Sequence, residues 1–514
     1  MRAILALAQN AAVREASLAI VGGVVWAPGR PRASALAVHG DRVVAVGADR
    51  EIRSLIGART RVIEARGGTI LPAFNDAHVH FLMASRSLGE LDLFGAKTQP
   101  EVERRIAAHV ASAKGDWVVG RGWFYSAFPG GMPTVDLLDR LVADRPAYIE
   151  SFDAHTGWAN SKALALAGVA TAGVLKEAEM LGVTRHLPAR SAAEDLEALR
   201  RGMRMAASRG IASVQEAGDG QDELRLWASL REAGELTMRV RLAFDMVPGQ
   251  SGPEWQRRLD EYEELARRWR ADRWLSTGIL KAFADGVVES RTAAMLEPFE
   301  GTSERGAPLW GPEELALAVR AADARGWQVQ VHAIGDAAIR QALSALQSTT
   351  PGRRHRVEHI EVPGASDIGR FAQFGVVASM QPQHADPGLT EVWRRNLGAE
   401  RAARGWPWRT LLASGARLAF GTDWPVVPLE PFTSLRIATG DHAAQLISIE
   451  EAVAAWSLGA AYAEHMEAQK GSLAVGMLAD IAVLDRDLAS TPQSELASIK
   501  IEATAVGGRL VYES

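Results

Sequence analysis

The chain of 514 residues contains no cysteine. That absence removes disulfides and thiolate ligands together, so any metal must be held through nitrogen and oxygen, and the redox compartment is left undetermined. Lysine is scarce, with only seven residues, and arginine supplies the rest of the 57 basic side chains. No dense Lys/Arg patch with interleaved aromatics occurs and the net charge is -5, so the footprint that nucleic acid demands is missing. No apolar run is long enough to span a bilayer, and 47% hydrophobic with 23% charged residues is ordinary for a soluble chain with a sizeable core. Between Met1 and Leu18, the polar residues Gln9, Asn10, Arg14 and Glu15 interrupt any leader-like stretch, and a cytoplasmic protein is expected.

What is present falls into three textures. From Ala19 to Thr69 short β-rich runs alternate with Gly, Pro and Asp turns, and the same texture returns in Leu478–Asp485, Ala503–Val506 and Gly507–Tyr512. Neither end has enough strand to bury a core alone, so residues 1–68 and 466–514 are expected to pair into one small β-sandwich domain. Between them, over residues 69–465, apolar β-type runs alternate with amphipathic helical stretches. Eight candidate strands can be counted: Thr69–His80, Ile211–Glu216, Val240–Asp245, Gly278–Phe283, Trp327–His332, Arg356–His359, Val376–Gln381 and Arg417–Asp423. This alternation predicts an α/β chain folded as a (β/α)8 TIM-type barrel. The gap from about Ala84 to Arg209 is too long for one crossover and must hold an insertion. Because it follows the first barrel strand, it should wall or cover the C-terminal face, where barrel chemistry sits.

Chemistry-bearing residues close several of these strands. Asp76-Ala77-His78-Val79-His80 ends the first, and a period of two sends His78 and His80 to one side, converging as a ligand pair does. Lys281 lies on the fourth strand, His332 on the fifth, His359 on the sixth and Asp423 on the eighth. Each has an ordinary reading: a satisfied core imidazole, a solvent-facing histidine among acids, a capping aspartate, a lysine paired with Asp285 or Glu289. Their joint placement at one end of one barrel argues for a metal site instead. A buried lysine between metals can be neutral, and a neutral amine can add carbon dioxide to give an anionic carbamate able to bridge two cations.

Those residues resemble the metal-dependent amidohydrolase superfamily, in the branch of N-substituted formamide deformylases and the relatives named exoenzyme regulatory proteins. The resemblance covers nearly the whole length. It is carried by Pro72–His80, Pro133-Thr134 with Leu137-Leu138-Asp139, Trp158–Leu164, Lys281–Gly286, His332–Asp336, Val357–His359, Met380–His384 and Gly421–Pro425. One departure is Ala73, where the family usually has Gly after Pro; it touches a turn and no ligand. The resemblance implies that His78, His80 and Asp423 hold the more buried metal, that His332 and His359 hold the second, and that carboxylated Lys281 bridges them. Mononuclear deaminase relatives lack the lysine, so two divalent ions are expected, zinc first. Two cations sharing a water would give a bridging hydroxide near neutral pH, and Asp423 would take its proton and pass it to the leaving amine.

That chemistry is hydrolysis of an amide or related non-peptide C–N bond. The substrate would be a small-molecule amide of the formamide, N-acyl amine or N-acyl amino acid type, and homodimer formation is left open. Trp123, His155, Gln381, His384 and Trp424 are candidate substrate contacts, with Phe124, Tyr125 and Phe128 as further lining. No arginine stands out for a carboxylate or phosphate. The alternatives are a cyclic-amide hydrolase or deaminase on the same scaffold, or a regulatory protein that keeps the fold without turnover.

Overall fold

A computed structural model describes residues 15–27, 32–113, 115–249, 252–441 and 444–514; the segment from which a missing leader is inferred lies almost wholly outside them. Its centre is a barrel of eight strands, Phe74–Val79, Ile211–Glu216, Arg239–Asp245, Leu275–Phe283, Gln328–Ala333, Arg356–His359, Val377–Met380 and Arg417–Phe420, each paired in parallel with the next. Such strands are buried on both faces, which is why they read as apolar runs without clean alternation. The crossover helices show the complementary period. Asp336–Leu346 buries Ala338, Ile339, Ala342, Leu343 and Leu346, the spacing of one helical face against the sheet.

The seam between the eighth and first strands is closed just past the strand ends. The Asp423 amide donates to the His78 carbonyl at 2.7 Å and the His80 amide to the Trp424 carbonyl at 2.8 Å. Asp76 accepts from the Thr422 amide at 2.9 Å and from its hydroxyl at 2.6 Å. The hydrogen bonds that finish the barrel thus run through the residues of interest.

The first strand differs from its sequence reading. Thr69–His80 is not one strand: Thr69–Pro72 runs antiparallel to Ile481–Leu484 in the small domain, and only Phe74–Val79 enters the barrel. Pro72, without an N–H, ends the ladder. The next two amides then diverge, Ala73 donating to Asp480 O and Phe74 to Gly210 O. The small domain is the sandwich expected from both chain ends. Strands Leu18–Val21, Ala35–His39, Arg42–Gly47 and Arg61–Glu64 form one sheet, and Val24–Val25, Thr69–Pro72, Ile481–Leu484, Ile501–Val506 and Arg509–Glu513 the other. Leu18, Ile20, Leu36 and Val38 share one core with Ile70, Ile481, Val483 and Ala503.

A buried ion pair fastens barrel to sandwich: Arg239 Nε and Nη2 donate to Asp480 at 2.8 and 2.9 Å, and Asp480 also accepts the Gly507 amide at 2.8 Å. Removing one partner strands the other charge in a dry interior. Asp480→Ala is therefore expected to destabilise the protein by roughly 3–5 kcal/mol, read from denaturant unfolding. A loss below about 1 kcal/mol, the range of exposed pairs, would show that the pair contributes little.

The insertion begins after the helix Phe81–Ser87 and builds its own five-stranded sheet from Leu91–Asp92, Val118–Trp123, Ala147–Ser151, Thr156–Ala159 and Val174–Lys176. It is shorter than the gap read from sequence. The helix Ala192–Ser208, opened by a capping box of Ser191 and Glu194, already packs on the second barrel strand as its crossover. The insertion's core takes in Val392, from the helix Glu391–Ala402 beyond the seventh strand, and Val426 and Val427, from the loop beyond the eighth, which seats it over the C-terminal face of the barrel.

Candidate metal centre

At that face the ligand-type residues meet. His78 is on the first strand, and His80 follows it as the residue leading into Phe81–Ser87. Both send Nε2 to 3.5 Å from Asp423 Oδ1. Asp423 comes three residues past the eighth strand and His359 ends the sixth; both take left-handed backbone, with φ of 62° and 72°. Such backbone is costly for a side chain other than Gly, and it is held where the surroundings over-determine it. Two groups of three therefore converge on one carboxylate: His78, His80 and Asp423, and His359, His384 and Asp423, the offered atoms in each lying within 4.8 Å of one another.

The second group differs from the sequence reading, which placed His384 among substrate contacts and His332 among ligands. His332 is at the site, its ring 4.4 Å from that of His359. Its Nε2, however, donates to the Gly286 carbonyl at 3.2 Å, and among the described residues it joins neither converging group. His384 Nε2 lies 3.7 Å from Asp423 Oδ2, and its Nδ1 lies 3.4 Å from Glu361, which Trp393 anchors at 2.7 Å.

The donor atoms fit a divalent cation. Both nitrogens of His359, Nε2 of His384 and Oδ1 of Asp423 are buried without a hydrogen-bond partner, a deficit that bound cations would relieve at Asp423, His384 and one nitrogen of His359. His78 Nδ1 donates to Glu358 at 2.6 Å, which fixes the tautomer and leaves Nε2 as a lone pair, the carboxylate–histidine arrangement of metal sites. Burial, with nearby Lys281, holds His78 well below its ordinary range and lowers His80 to about 3; burial also keeps His332 and His359 neutral. Neutral imidazole is the ligating form. Burial raises Asp423 to about 6, against the pull of His384 and Lys281. Lys281, with Nζ 3.3 Å from His78 Nε2 and 4.4 Å from the Phe283 ring centre, is drawn down to about 8 by burial, against the carboxylates of Glu358 and Asp423.

Sequence reasoning overlooked the supporting acids. Glu358, given no role from sequence alone, is fully buried between His78 and Arg356. Its signal was the strand period, which puts Glu358 inward beside Arg356 when His359 ends the strand.

The candidate substrate contacts divide. His155 reaches the site: Nδ1 donates to Glu177 at 2.9 Å and its ring lies 5.5 Å from that of His332. Burial opposes its charge, but Glu177, with Asp153 and Asp423, raises the imidazole to about 9. Gln381, just past the seventh strand, is buried with neither amide atom hydrogen-bonded. Trp123 is instead part of the insertion's own core, fully buried with its indole N–H donated to Ile149 O at 3.0 Å. Phe124, Tyr125 and Phe128 pack in that same core. Trp424 packs on Phe81 and offers its carbonyl to His80, so it supports the site through its backbone. The aromatics were read as lining because sequence does not tell which face of the insertion looks down.

A (β/α)8 barrel whose C-terminal mouth gathers histidines and a shared aspartate defines a metal-dependent hydrolase. The chain belongs to the amidohydrolase family, whose model matches residues 61–512. Protein LONG AFTER FAR-RED 3 of Arabidopsis thaliana is 29% identical to it over 544 residues, spanning 97% of this chain and 92% of that protein. The N-substituted formamide deformylase of Arthrobacter pascens is 25% identical over 542 residues, spanning 94% and 95%. In fold, an uncharacterized metal-dependent hydrolase from Pyrococcus horikoshii OT3 superposes with a TM-score of 0.74 at 23% identity, over 93% of this chain and 99% of that one.

Proposed function

We propose that the protein is a binuclear hydrolase of an amide or related non-peptide C–N bond in a formamide, N-acyl amine or N-acyl amino acid. The observation that carries this reading is one carboxylate, Asp423, shared by two sets of imidazoles, with Asp423 Oδ1 and the donor nitrogens of His359 and His384 buried without other partners. His78, His80 and Asp423 would hold one divalent ion, His359 with His332 or His384 the second, and Lys281 as a carbamate would join them. Bound zinc would supply Lewis-acid polarisation of a carbonyl and lower the pKa of water.

The protein's own groups do the rest. Asp423 Oδ1 has no other partner, and a carboxyl raised to about 6 can take a proton near neutrality and return it to a departing amine. The insertion lies over this face, and His155, held by Glu177, supplies a cation at the site that would favour negative charge developing on a bound carbonyl. The deformylase relative supports a C–N substrate.

Metal analysis of gently purified protein should find two divalent ions per chain, and a chelator should abolish hydrolysis of at least one compound in a panel of formamides, N-acyl amines, N-acyl amino acids and cyclic amides. Release of free amine plus acid supports the proposal. Ammonia release or ring opening alone would reassign the reaction, and activity indifferent to chelator would end the metal reading.

A further inference from the structure

We infer that Arg121 anchors a carboxylate carried by the substrate, which makes an N-acyl amino acid the amide that is cleaved. The inference rests on the amide-hydrolase reading above and narrows it. Arg121 lies on the insertion strand Val118–Trp123, paired across the sheet with Asp92 and Glu150, and is only 6% exposed. Its guanidinium is nearly unused: Nη2 reaches the Phe152 carbonyl at 3.5 Å, while Nε and Nη1 are buried with no partner. Among the described residues no carboxylate comes within ion-pair distance of it. Of the acids near enough to act on its charge, Glu150 across the sheet is foremost but makes no direct ion pair with it, and Glu90 is engaged by Arg190 at 2.5 Å.

A guanidinium does not escape burial by losing its proton, and a buried charge whose N–H groups lack direct partners is costly for a fold to hold. Its placement gives the cost a use. Its Nη2 partner, the Phe152 carbonyl, lies three residues before His155, whose ring is 5.5 Å from that of His332, and the core of its insertion takes in Val426 and Val427 just past Asp423, so Arg121 belongs to the part of the insertion that borders the metal centre. Nη2 spends one N–H on the Phe152 carbonyl and keeps the other, so with Nε or Nη1 one edge of the planar fork stays open to a carboxylate in a bidentate pair. In an N-acyl amino acid the carboxylate sits one carbon from the scissile nitrogen, which suits an anchor beside the reacting amide. Hydrolysis breaks the acyl C–N bond, forms a C–O bond from water and leaves water's proton on the nitrogen, releasing an acid and a free amino acid whose carboxylate never leaves Arg121 during the step.

The test pairs N-formyl-glycine, N-formyl-leucine and N-formyl-phenylalanine with the formamides that lack only their carboxylate, using metal-loaded full-length protein. Wild type should favour the acids in kcat/KM, chiefly through KM. Arg121→Met should lower the acid-to-neutral ratio at least about a hundredfold, the scale for truncating one partner of a buried hydrogen-bonded charge pair, with metal content retained, and Arg121→Lys should recover part of it. If neither these compounds nor the wider amide panel above is turned over, the amide-hydrolase reading fails by itself, and calorimetric binding of N-formyl-leucine against its neutral counterpart still decides the anchor. A wild type that shows no preference for the acids, in rate or in binding, overturns the inference, as does an Arg121→Met ratio equal to wild type. Should Arg121→Met not fold, the wild-type preference and Arg121→Lys carry the decision.

Discussion

Asp423→Asn is expected to lower turnover at least about a hundredfold with the fold intact. The change keeps the shape and removes the charge and the base. Asn is also among the few residues that accept left-handed backbone readily, so the φ of 62° at this position is preserved. The backbone bond from residue 423 to the His78 carbonyl does not depend on the side chain, and the barrel seam therefore survives. Two effects are expected together, since Asp423 is proposed both to ligate and to carry the proton. Metal content measured beside kcat separates them: full metal with lost turnover isolates the proton role, and lost metal assigns the effect to ligation. Turnover near wild type would remove Asp423 from the mechanism.

Lys281→Ala is expected to cost both metal and activity, with turnover down by at least about a hundredfold, as for removal of a group central to the site. Lys281 is 1% exposed and packed against Phe283, and burial holds its amine at about 8, within reach of the neutral form that reacts with carbon dioxide. Two cations would stabilise the carbamate so formed, and an alanine offers no oxygen in its place. Short-chain carboxylic acids should then restore part of the metal content and rate by entering the vacated space. Isotope-labelled bicarbonate should give wild type a carbamate resonance that the variant lacks. An unmodified Lys281 in active, fully metallated protein would sink the carbamate and leave the lysine as a charge partner of Glu358 and Asp423.

Much of the architecture was legible in the chain alone, because the signals involved are local. Eight apolar β-type runs separated by helical periods specify a parallel barrel, and the recurrence of short Gly- and Pro-punctuated strands at both ends specifies the sandwich. His78, His80, Lys281, His332, His359 and Asp423 could be picked out because strand direction decides which end of a barrel each residue occupies, and that needs no knowledge of its neighbours. What tertiary structure decided is who meets whom. The change of sheet at Pro72 depends on Ile481–Leu484 arriving from the far end of the chain. Glu358 reaches His78 across 280 residues of sequence, and His384 rather than His332 converges with His359 on Asp423. Trp123 and Arg121, two residues apart on one insertion strand, have opposite fates: one is sealed in that domain's core with its N–H satisfied, the other is left with Nε and Nη1 unpartnered. No local pattern separates them, because burial and hydrogen-bond satisfaction are properties of the packed assembly, set by long-range contacts that period and spacing do not encode.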